Sequence, residues 1–254
     1  FIFLNTNGKY TGKKEVRQAI AHLIDTDEII DKVFAGVADN VRSEKEGFLT
    51  WYTGEAPSTY YPHSVAKAEA LLDAAGLKKD GNGKRFTIGI IHETKNAIHP
   101  KVIDIMRSTF KTAGIELDVR KMDASAITEK VHKKMDYDMY ITGIAVGPDP
   151  DVMTKSWHSK NIGKGWNANS SGYNNPKIDA LLDGGRAELD PTKRKPFYIE
   201  AHQILVEDLP MLPLFGSKWL WTYNEKLDGF PIGYTFRDGL EMVNWNGQIP
   251  SNRK

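Results

Sequence analysis

Apolar residues in the first part of the chain repeat with the spacing of an amphipathic helix. From Lys14 to Asp25 they recur at positions i, i+3, i+4 and i+7, which places them on one buried face. Thr26 is predicted to cap a second helix, because Asp27 and Glu28 follow it and suit the positive end of a helix dipole. The pattern therefore predicts two successive helices, the second of which ends at Gly36.

Farther along the chain, short apolar runs alternate with helical patterns. Three runs fit buried strands, and they are Phe86 to Ile91, Ile115 to Val119 and Asp138 to Thr142. Helices are predicted at Val65 to Ala75, Pro100 to Ala113, Ala124 to Lys134, Pro176 to Leu182, and from Pro191 to about Glu207. Alternation of strands and helices predicts an α/β fold, with a parallel or mixed sheet covered by helices.

The two ends of the pattern are also informative. Phe1 to Asn5 already has a strand pattern, with neither an initiator Met nor a signal sequence, so we expect the chain to begin inside a larger protein. Leu209 to Tyr223 is predicted to be extended and hydrophobic. The longest apolar runs fall far below the roughly 18 residues that a membrane-spanning helix needs.

Charge and cysteine content exclude several classes of function. Lys and Arg total 34 against 33 for Asp and Glu, so the protein lacks the overall field that would attract nucleic acid or an anionic membrane. The chain has no cysteine, which excludes disulfides, thiolate metal sites and cysteine nucleophiles.

Sequence motifs for catalysis are absent. No serine lies in a G-x-S-x-G or S-x-x-K motif, and the glycine-rich segments lack the strand before and helix after that a phosphate-binding loop requires. The seven histidines are scattered, and none forms an H-E-x-x-H motif. His92, Glu93 and His99 could hold a metal, although a solvated loop ahead of a helix explains them as well. We predict no enzyme activity, no cofactor and no metal site.

Aromatic and acidic residues beside predicted loops are the candidates for ligand binding. Trp51, Trp157 and Trp166 offer broad, rigid apolar faces of the kind that small-solute sites use, and core packing is the alternative for each. Asp149 and Asp151 flank Pro150 and are either paired carboxylates or a helix start.

Several segments in a fixed order carry a resemblance to a known family. They are Phe3-Leu4-Asn5-Thr6, Glu15-Val16-Arg17-Gln18-Ala19-Ile20, Ile24-Asp25, Lys67-Ala68-Glu69-Ala70-Leu71-Leu72, Gly114-Ile115-Glu116-Leu117, Asp149-Pro150-Asp151, Gly172-Tyr173-Asn174-Asn175-Pro176 and Leu212-Pro213-Leu214-Phe215. Together they resemble family 5 of the solute-binding proteins of ABC importers, which includes dipeptide-, oligopeptide- and nickel-binding members.

The resemblance implies a type II periplasmic-binding-protein fold, in which two lobes close on a solute. It implies that residues 1–5 form a crossing strand, 6–208 the C-terminal ligand-binding lobe, and 209–254 a return crossing with part of the other lobe. The implied partners are a small-molecule or peptide solute, a membrane permease and a missing N-terminal half, with no nucleic acid. The implied location is periplasmic or extracytoplasmic and membrane-associated.

The resemblance also indicates where this chain departs from its relatives. Peptide-binding members have an acidic residue in the loop after the Asp138 to Thr142 strand, where this chain has Val146, and Ile144 replaces a frequent Trp. Asp149 could take over the acidic role if the loop shifts. We predict a ligand-binding set of Ile144, Val146, Asp149, Trp51, Trp157, Trp166 and Tyr173. The alternatives are a nickel or metal-chelate binder that uses His92, His99 or His158, and a hydrolase.

Overall fold

The computed structural model describes residues 1–41, 54, 59–143, 149–166 and 168–218, and the backbone of 227–228 and 244–245. The chain divides into two compact units, Phe1–Gly216 and Ser217–Lys254. The described part of the second unit consists of Ser217 and Lys218 and an antiparallel pair of short strands, Leu227–Asp228 and Asn244–Trp245. The candidate site lies in the first unit.

The first unit alternates strands and helices along the chain. Its strands are β1 (Ile2–Leu4), β2 (Phe86–Glu93), β3 (Ile115–Met122), β4 (Met139–Ile141) and β5 (Met211–Leu212). Its α-helices are α1 (Lys14–Leu23), α2 (Thr26–Phe34), α3 (Val65–Ala74), α4 (His99–Thr112), α5 (Ala124–Ile127), α6 (Val152–Trp157), α7 (Pro176–Ala187) and α8 (Pro191–Asp208). A π-helix at Thr128–Lys133 continues α5, and a short 3-10 helix spans Ser159–Asn161.

The strands form one mixed five-stranded sheet in the order β3-β2-β4-β1-β5. The strands β3, β2 and β4 run parallel, whereas β1 is antiparallel to both β4 and β5. This arrangement confirms the predicted α/β class with a mixed sheet flanked by helices. The long predicted strands and helices are confirmed, with ends that shift by a few residues.

Alternate residues of each strand face opposite sides of the sheet, and each side has its own apolar core. Ile90 faces the side that α1 to α4 cover, together with Val16, Ile29, Leu72 and Phe110. Its neighbour Ile91 faces the other side, where the core residues come from α5 to α8 and the π-helix: Ile127, Val131, Trp157, Leu182 and Tyr198. The sheet is therefore buried on both faces, which explains the nearly continuous apolar character of β2.

The first two helices meet as predicted, but the residue that caps the second one differs. Asp25, not Thr26, is the N-cap of α2, because its Oδ1 accepts a hydrogen bond from the backbone N–H of Glu28 at 2.9 Å. Thr26 is the first helical residue and is buried. An Asp at the N-cap accepts a free backbone N–H and also suits the helix dipole, so the predicted helix is correct although its cap is not.

The predicted helix Ala124 to Lys134 has two parts in the structure. The first, α5, is capped by Asp123, whose Oδ1 accepts from Ala126 N at 2.8 Å. The second is a π-helix, closed by a hydrogen bond from Lys134 N to Glu129 O at 3.0 Å. A π-helical turn contains an extra residue, which rotates its side chains relative to an α-helix and is frequent at functional sites.

The predicted lobe boundaries at residues 5 and 208 stay predictions. Near the second boundary, α8 ends at Asp208, Leu209 follows it in a left-handed conformation with φ of 48°, and the chain then enters β5. The backbone N–H of Leu4 donates to Pro210 O at 3.0 Å, so β1 and the segment ahead of β5 are joined at the edge of the sheet.

Candidate functional site

A cavity of about 400 Å³ opens at the carboxyl ends of β2 and β4. These strands are neighbours in the sheet, yet the chain leaves β2 for α4 on one face and leaves β4 for α6 on the other. Such a divergence creates a crevice beyond the strand ends, where open α/β sheets bind their ligands. Glu93 ends β2, and Tyr140, Thr142 and Gly143 come from the end of β4 and just after it.

The first turn of α4 places a histidine at the cavity wall. Asn96 accepts hydrogen bonds from the backbone N–H groups of Ile98 and His99, both at 2.9 Å, and so fixes the start of the helix. His99 is buried, and its Nδ1 has no hydrogen-bond partner among the described residues. Burial lowers the pKa of His99 to about 4, with smaller contributions from the terminal amino group and His92. The imidazole is therefore neutral at pH 7.

A second histidine reaches the cavity from the π-helix. His132 Nδ1 lies 2.7 Å from Ser170 Oγ, and the ring packs edge-on against Tyr140 with centroids 5.7 Å apart. Its Nε2 is buried and has no partner within the described ranges. Burial lowers the pKa of His132, so this imidazole is also neutral at pH 7.

The formal charge in the described wall of the cavity comes from Glu93. None of the described lining residues is Lys or Arg. Burial raises the pKa of Tyr140, a hydrogen bond with Thr142 lowers it, and the Glu93 carboxylate raises it slightly, so this carboxylate lies within electrostatic reach of the phenol. The backbone nitrogen of Phe1 donates to Thr142 O at 3.1 Å, which ties the start of β1 to the end of β4.

The hydrogen bond between Ser170 and His132 resembles a nucleophile and base pair, but it lacks the rest of a hydrolase site. Ser170 is 1% exposed and is not part of the cavity wall, and its hydroxyl also donates to Ala168 O at 3.3 Å. No carboxylate in the described residues orients the imidazole through Nε2. A nucleophile needs access to substrate and a base held by a third group, so this pair is better explained as a buried structural contact.

Among the predicted ligand-binding residues, Trp166 lines the cavity. It is 65% exposed and lies in a loop whose ends are joined by a parallel bridge between Ile162 and Asn169. The side-chain amide of Asn169 donates to Tyr173 O at 2.7 Å and to Trp157 O at 3.2 Å, and so anchors one end of this loop to the core.

The structure places two other predicted aromatic residues in the core. Trp157 is 2% exposed and contacts Phe3 edge-on, with ring centroids 6.2 Å apart. Tyr173 is 5% exposed, and its hydroxyl donates to Asp208 Oδ2 at 2.6 Å and accepts from Asn175 Nδ2 at 2.9 Å. The roles of both residues in ligand binding stay predictions, and in this conformation their rings pack inside the protein.

None of the other predicted residues belongs to the described wall of the cavity. Asp149 forms an ion pair with Arg194 at 2.8 Å, and this arginine lowers the pKa of the aspartate through its hydrogen bond. Trp51, Ile144 and Val146 lie outside the described residues. The loop substitutions inferred from the sequence therefore stay predictions.

The histidines of the metal hypothesis are dispersed. His99 reaches the cavity, whereas His158 is held between Asp179 at 3.2 Å and Asp183 at 3.3 Å. His92 is buried, with Nδ1 3.1 Å from the carbonyl oxygen of Glu93. In the part of the chain that the structure describes, no group of three or more His, Cys, Asp or Glu residues could hold a metal ion.

The cavity wall includes polar residues that sequence reasoning did not name as candidates, among them His132, Tyr140 and Thr142. Tyr140 and Thr142 carry a weak signal, because polar groups at the end of a predicted parallel strand face the edge where ligands bind. His132 carries none, since its orientation depends on the π-helix.

Comparison with known proteins identifies the family. The model of "Bacterial extracellular solute-binding proteins, family 5 Middle" matches residues 1–165. The oligopeptide-binding protein AppA of Bacillus subtilis is 25% identical over 254 residues, with 96% of this chain and 46% of AppA covered. The structure of AppA with a nonapeptide superposes with a TM-score of 0.74 at 24% identity, covering 85% of this chain and 44% of AppA.

A second solved structure shares the fold. NikZ of Campylobacter jejuni, in complex with Ni(L-His), superposes with a TM-score of 0.73 at 22% identity, covering 90% of this chain and 47% of NikZ. The predicted periplasmic-binding-protein fold is thereby confirmed.

The chain spans about half the length of the curated relatives that it matches. None of the helices in the described ranges has the length and hydropathy of a bilayer-spanning segment. With the family model matched over more than half of the chain, this protein belongs to the bacterial extracellular solute-binding proteins of family 5.

Proposed function

We propose that this chain supplies one lobe of the solute-binding component of an ABC importer and captures a peptide-like or other small solute outside the cytoplasm. Its partners in this proposal are a membrane permease and a second lobe, and its role is binding without catalysis. Membership of family 5 supports the general role. The lobe boundaries proposed from the sequence, at residues 5 and 208, belong to the same proposal.

The cavity at the carboxyl ends of β2 and β4 is the observation that carries this function. It has the expected position for an α/β ligand site, and a volume of about 400 Å³ suits a small solute or one part of a larger one. Its wall combines an exposed indole with a few convergent polar groups, which is the usual composition of a small-molecule site.

Hinge closure is the proposed mechanism. A solute held between two lobes stabilises the closed state by the difference between its affinities for the closed and open forms. One lobe offers part of those contacts, so we expect this chain alone to bind its solute weakly or not at all by calorimetry. Sub-micromolar affinity of the isolated chain would contradict the shared-cleft mechanism.

Nuclear magnetic resonance tests the location of the site, because it detects Kd values in the millimolar range. Tripeptides, amines, sugars and metal chelates would each be added at millimolar concentration. We expect at least one class to shift the amide signals of Thr142 and Gly143 and the indole signal of Trp166. Trp166→Ala should weaken that binding, whereas Leu189→Ala, at a side chain that is 91% exposed, should not. If no class shifts these signals, or if Trp166→Ala has no effect, the proposal fails.

A metal chelate is the second candidate ligand, and one observation favours it. His99 Nδ1 and His132 Nε2 are neutral, lack partners among the described residues, and belong to side chains that line the same cavity. A neutral imidazole is a good ligand for nickel. Titration with the Ni(II) complex of L-histidine should produce a change in the visible absorption spectrum that His99→Ala abolishes. A spectrum that His99→Ala leaves unchanged would exclude this candidate.

A further inference from the structure

We propose that Glu93 makes the cavity selective for solutes with a cationic group such as an ammonium, which its carboxylate binds directly. This inference rests on the proposed function and names the chemical class of its ligand. Glu93 ends β2 at the cavity wall, where its side chain is half-buried.

The described charged groups around the cavity leave the carboxylate of Glu93 without a cationic partner. Within the described ranges, Glu93 forms no ion pair and no side-chain hydrogen bond, and no Lys or Arg lines the cavity. Both histidines in the wall are kept neutral by burial. The cavity therefore has a carboxylate without a cationic partner among its described neighbours, and a solute that brings a positive charge would supply one.

The aromatic residues of the cavity wall also favour a cationic solute. The indole of Trp166 and the ring of Tyr140 both belong to the wall, and a cation is attracted to the face of an aromatic ring, most strongly to tryptophan. An ammonium group donates hydrogen bonds and accepts none, so it can donate to the oxygen atoms of the Glu93 carboxylate. The unpartnered Nδ1 of His99 offers such an acceptor when its proton is on Nε2.

A second cavity, at the opposite ends of the strands, has a different set of charged residues. It has a volume of about 420 Å³ and lies where β2 and β3 begin, and its wall contains Lys84, Arg107 and Lys111. The carboxylate there, Glu116, is paired with Lys84 at 2.6 Å. Unlike Glu93, Glu116 is therefore neutralised by its own surroundings.

Two series of probes separate charge from shape. The first series consists of trialaninamide, which is cationic, N-acetyl-trialaninamide, which is neutral, and N-acetyl-trialanine, which is anionic. The second is cyclohexylmethylamine, cyclohexylmethanol and cyclohexanecarboxylate, which have the same order of charge on a frame that is not a peptide. Each would be titrated into the whole 254-residue chain at pH 7.5 and followed by the signals of Thr142, Gly143 and Trp166.

We expect the cationic member of at least one series to bind more tightly than its neutral and anionic counterparts. Glu93→Gln should weaken that binding about tenfold, because a hydrogen bond to a charged group is replaced by one to a neutral amide. Glu116→Gln is the matched control and should leave binding unchanged. Thermal unfolding of both variants would show that each remains folded.

The outcomes distinguish this inference from the function on which it rests. If neutral or anionic members bind at least as well as the cationic ones, or if Glu93→Gln binds them like the unaltered chain, cation selectivity is wrong and solute binding stands. If no member of either series shifts the cavity signals, while the wider solute classes do, the inference is likewise wrong. Absence of any response to every class would overturn the proposed function itself.

Discussion

The carboxylate of Asp149 accepts two hydrogen bonds from the guanidinium of Arg194, at 2.8 Å from Nη2 and at 3.3 Å from Nη1. The same arginine donates through Nε to the carbonyl oxygen of Gly185 at 2.9 Å and through Nη2 to the hydroxyl of Tyr198 at 3.2 Å. It thereby connects the turn before α6 with α7 and α8. These three elements surround the core on the side of the sheet where His132 and Trp157 lie.

The ion pair of Asp149 predicts a small, pH-dependent contribution to stability. The Arg194 hydrogen bond lowers the pKa of Asp149, so the contribution is present above the unfolded-state pKa near 3.8 and is lost as pH falls below it. Because the Asp149 side chain is 62% exposed, Asp149→Asn should reduce the free energy of unfolding by about 0.5 kcal/mol at pH 7. Urea denaturation at pH 7 and pH 3 would measure this. A loss that is equally large at pH 3 would contradict an ionic origin.

Because α7 and α8 pack closely, we predict that one added methyl group at their contact lowers the free energy of unfolding more than loss of the Asp149 ion pair does. A Cβ at Gly185 would lie 2.9 Å from two ring carbons of Tyr198, a fully buried side chain. Overpacking costs about 1–3 kcal/mol, against roughly 1 kcal/mol that alanine gains in helix propensity. We therefore expect Gly185→Ala to lower the free energy of unfolding by about 1 kcal/mol in urea denaturation. Gly81→Ala is the control, since no atom of the described residues, apart from its own chain neighbours, lies within 4 Å of the added Cβ. Equal effects of the two changes would refute the packing argument.

The amide of Asn5 predicts a strong dependence of folding on one polar side chain. Asn5 is 4% exposed, and its Nδ2 donates to Met135 O at 2.8 Å and to Tyr137 O at 2.7 Å. Asn5→Ala leaves the buried carbonyl group of Tyr137 and the part-buried one of Met135 without this donor, so we expect a loss of about 2–4 kcal/mol in the free energy of unfolding. Chemical denaturation would measure it, with the exposed Asn174→Ala as a control that should stay within about 0.5 kcal/mol. A loss below 1 kcal/mol for Asn5→Ala would show that water replaces the amide.

Burial of His202 predicts that the protein loses stability in mild acid. Desolvation lowers the pKa of this residue from 6.5 to about 4, so the folded state keeps the imidazole neutral while the unfolded state binds a proton. Stability from this group is complete above pH 6.5 and falls between pH 6.5 and about pH 4. At pH 5 the expected loss is about 2 kcal/mol relative to pH 7.5.

The variant His202→Leu isolates that contribution, because it keeps an apolar side chain at a position that is 3% exposed. Urea denaturation from pH 7.5 to pH 5 should show a shallower pH dependence for this variant than for the unaltered chain. The exposed Lys193→Leu serves as the control and should keep the original dependence. If the two variants have the same pH profile, protonation of His202 is not the cause.

Much of the fold is determined by local sequence patterns. The face of α1 follows from the spacing of its apolar residues, and the start of α3 follows from Ser64, whose hydroxyl accepts from Lys67 N at 3.3 Å. The strands β2 and β3 are apolar enough to be predicted as a parallel pair with a helix between them. These features depend on neighbours within a few residues, so a periodicity or a single cap is sufficient to predict them.

The candidate site is determined by contacts between distant segments. Pairing of Ile90 with Met139 brings the end of β2 beside the end of β4 and so places Glu93 and Tyr140 in one cavity. Trp157 and Trp166 both lie beside predicted loops, yet one is buried and the other is 65% exposed. Strand order and side-chain burial arise from the packing of the whole unit. The sequence alone therefore determined the α/β elements and the family, whereas tertiary packing decided which polar and aromatic side chains share the cavity.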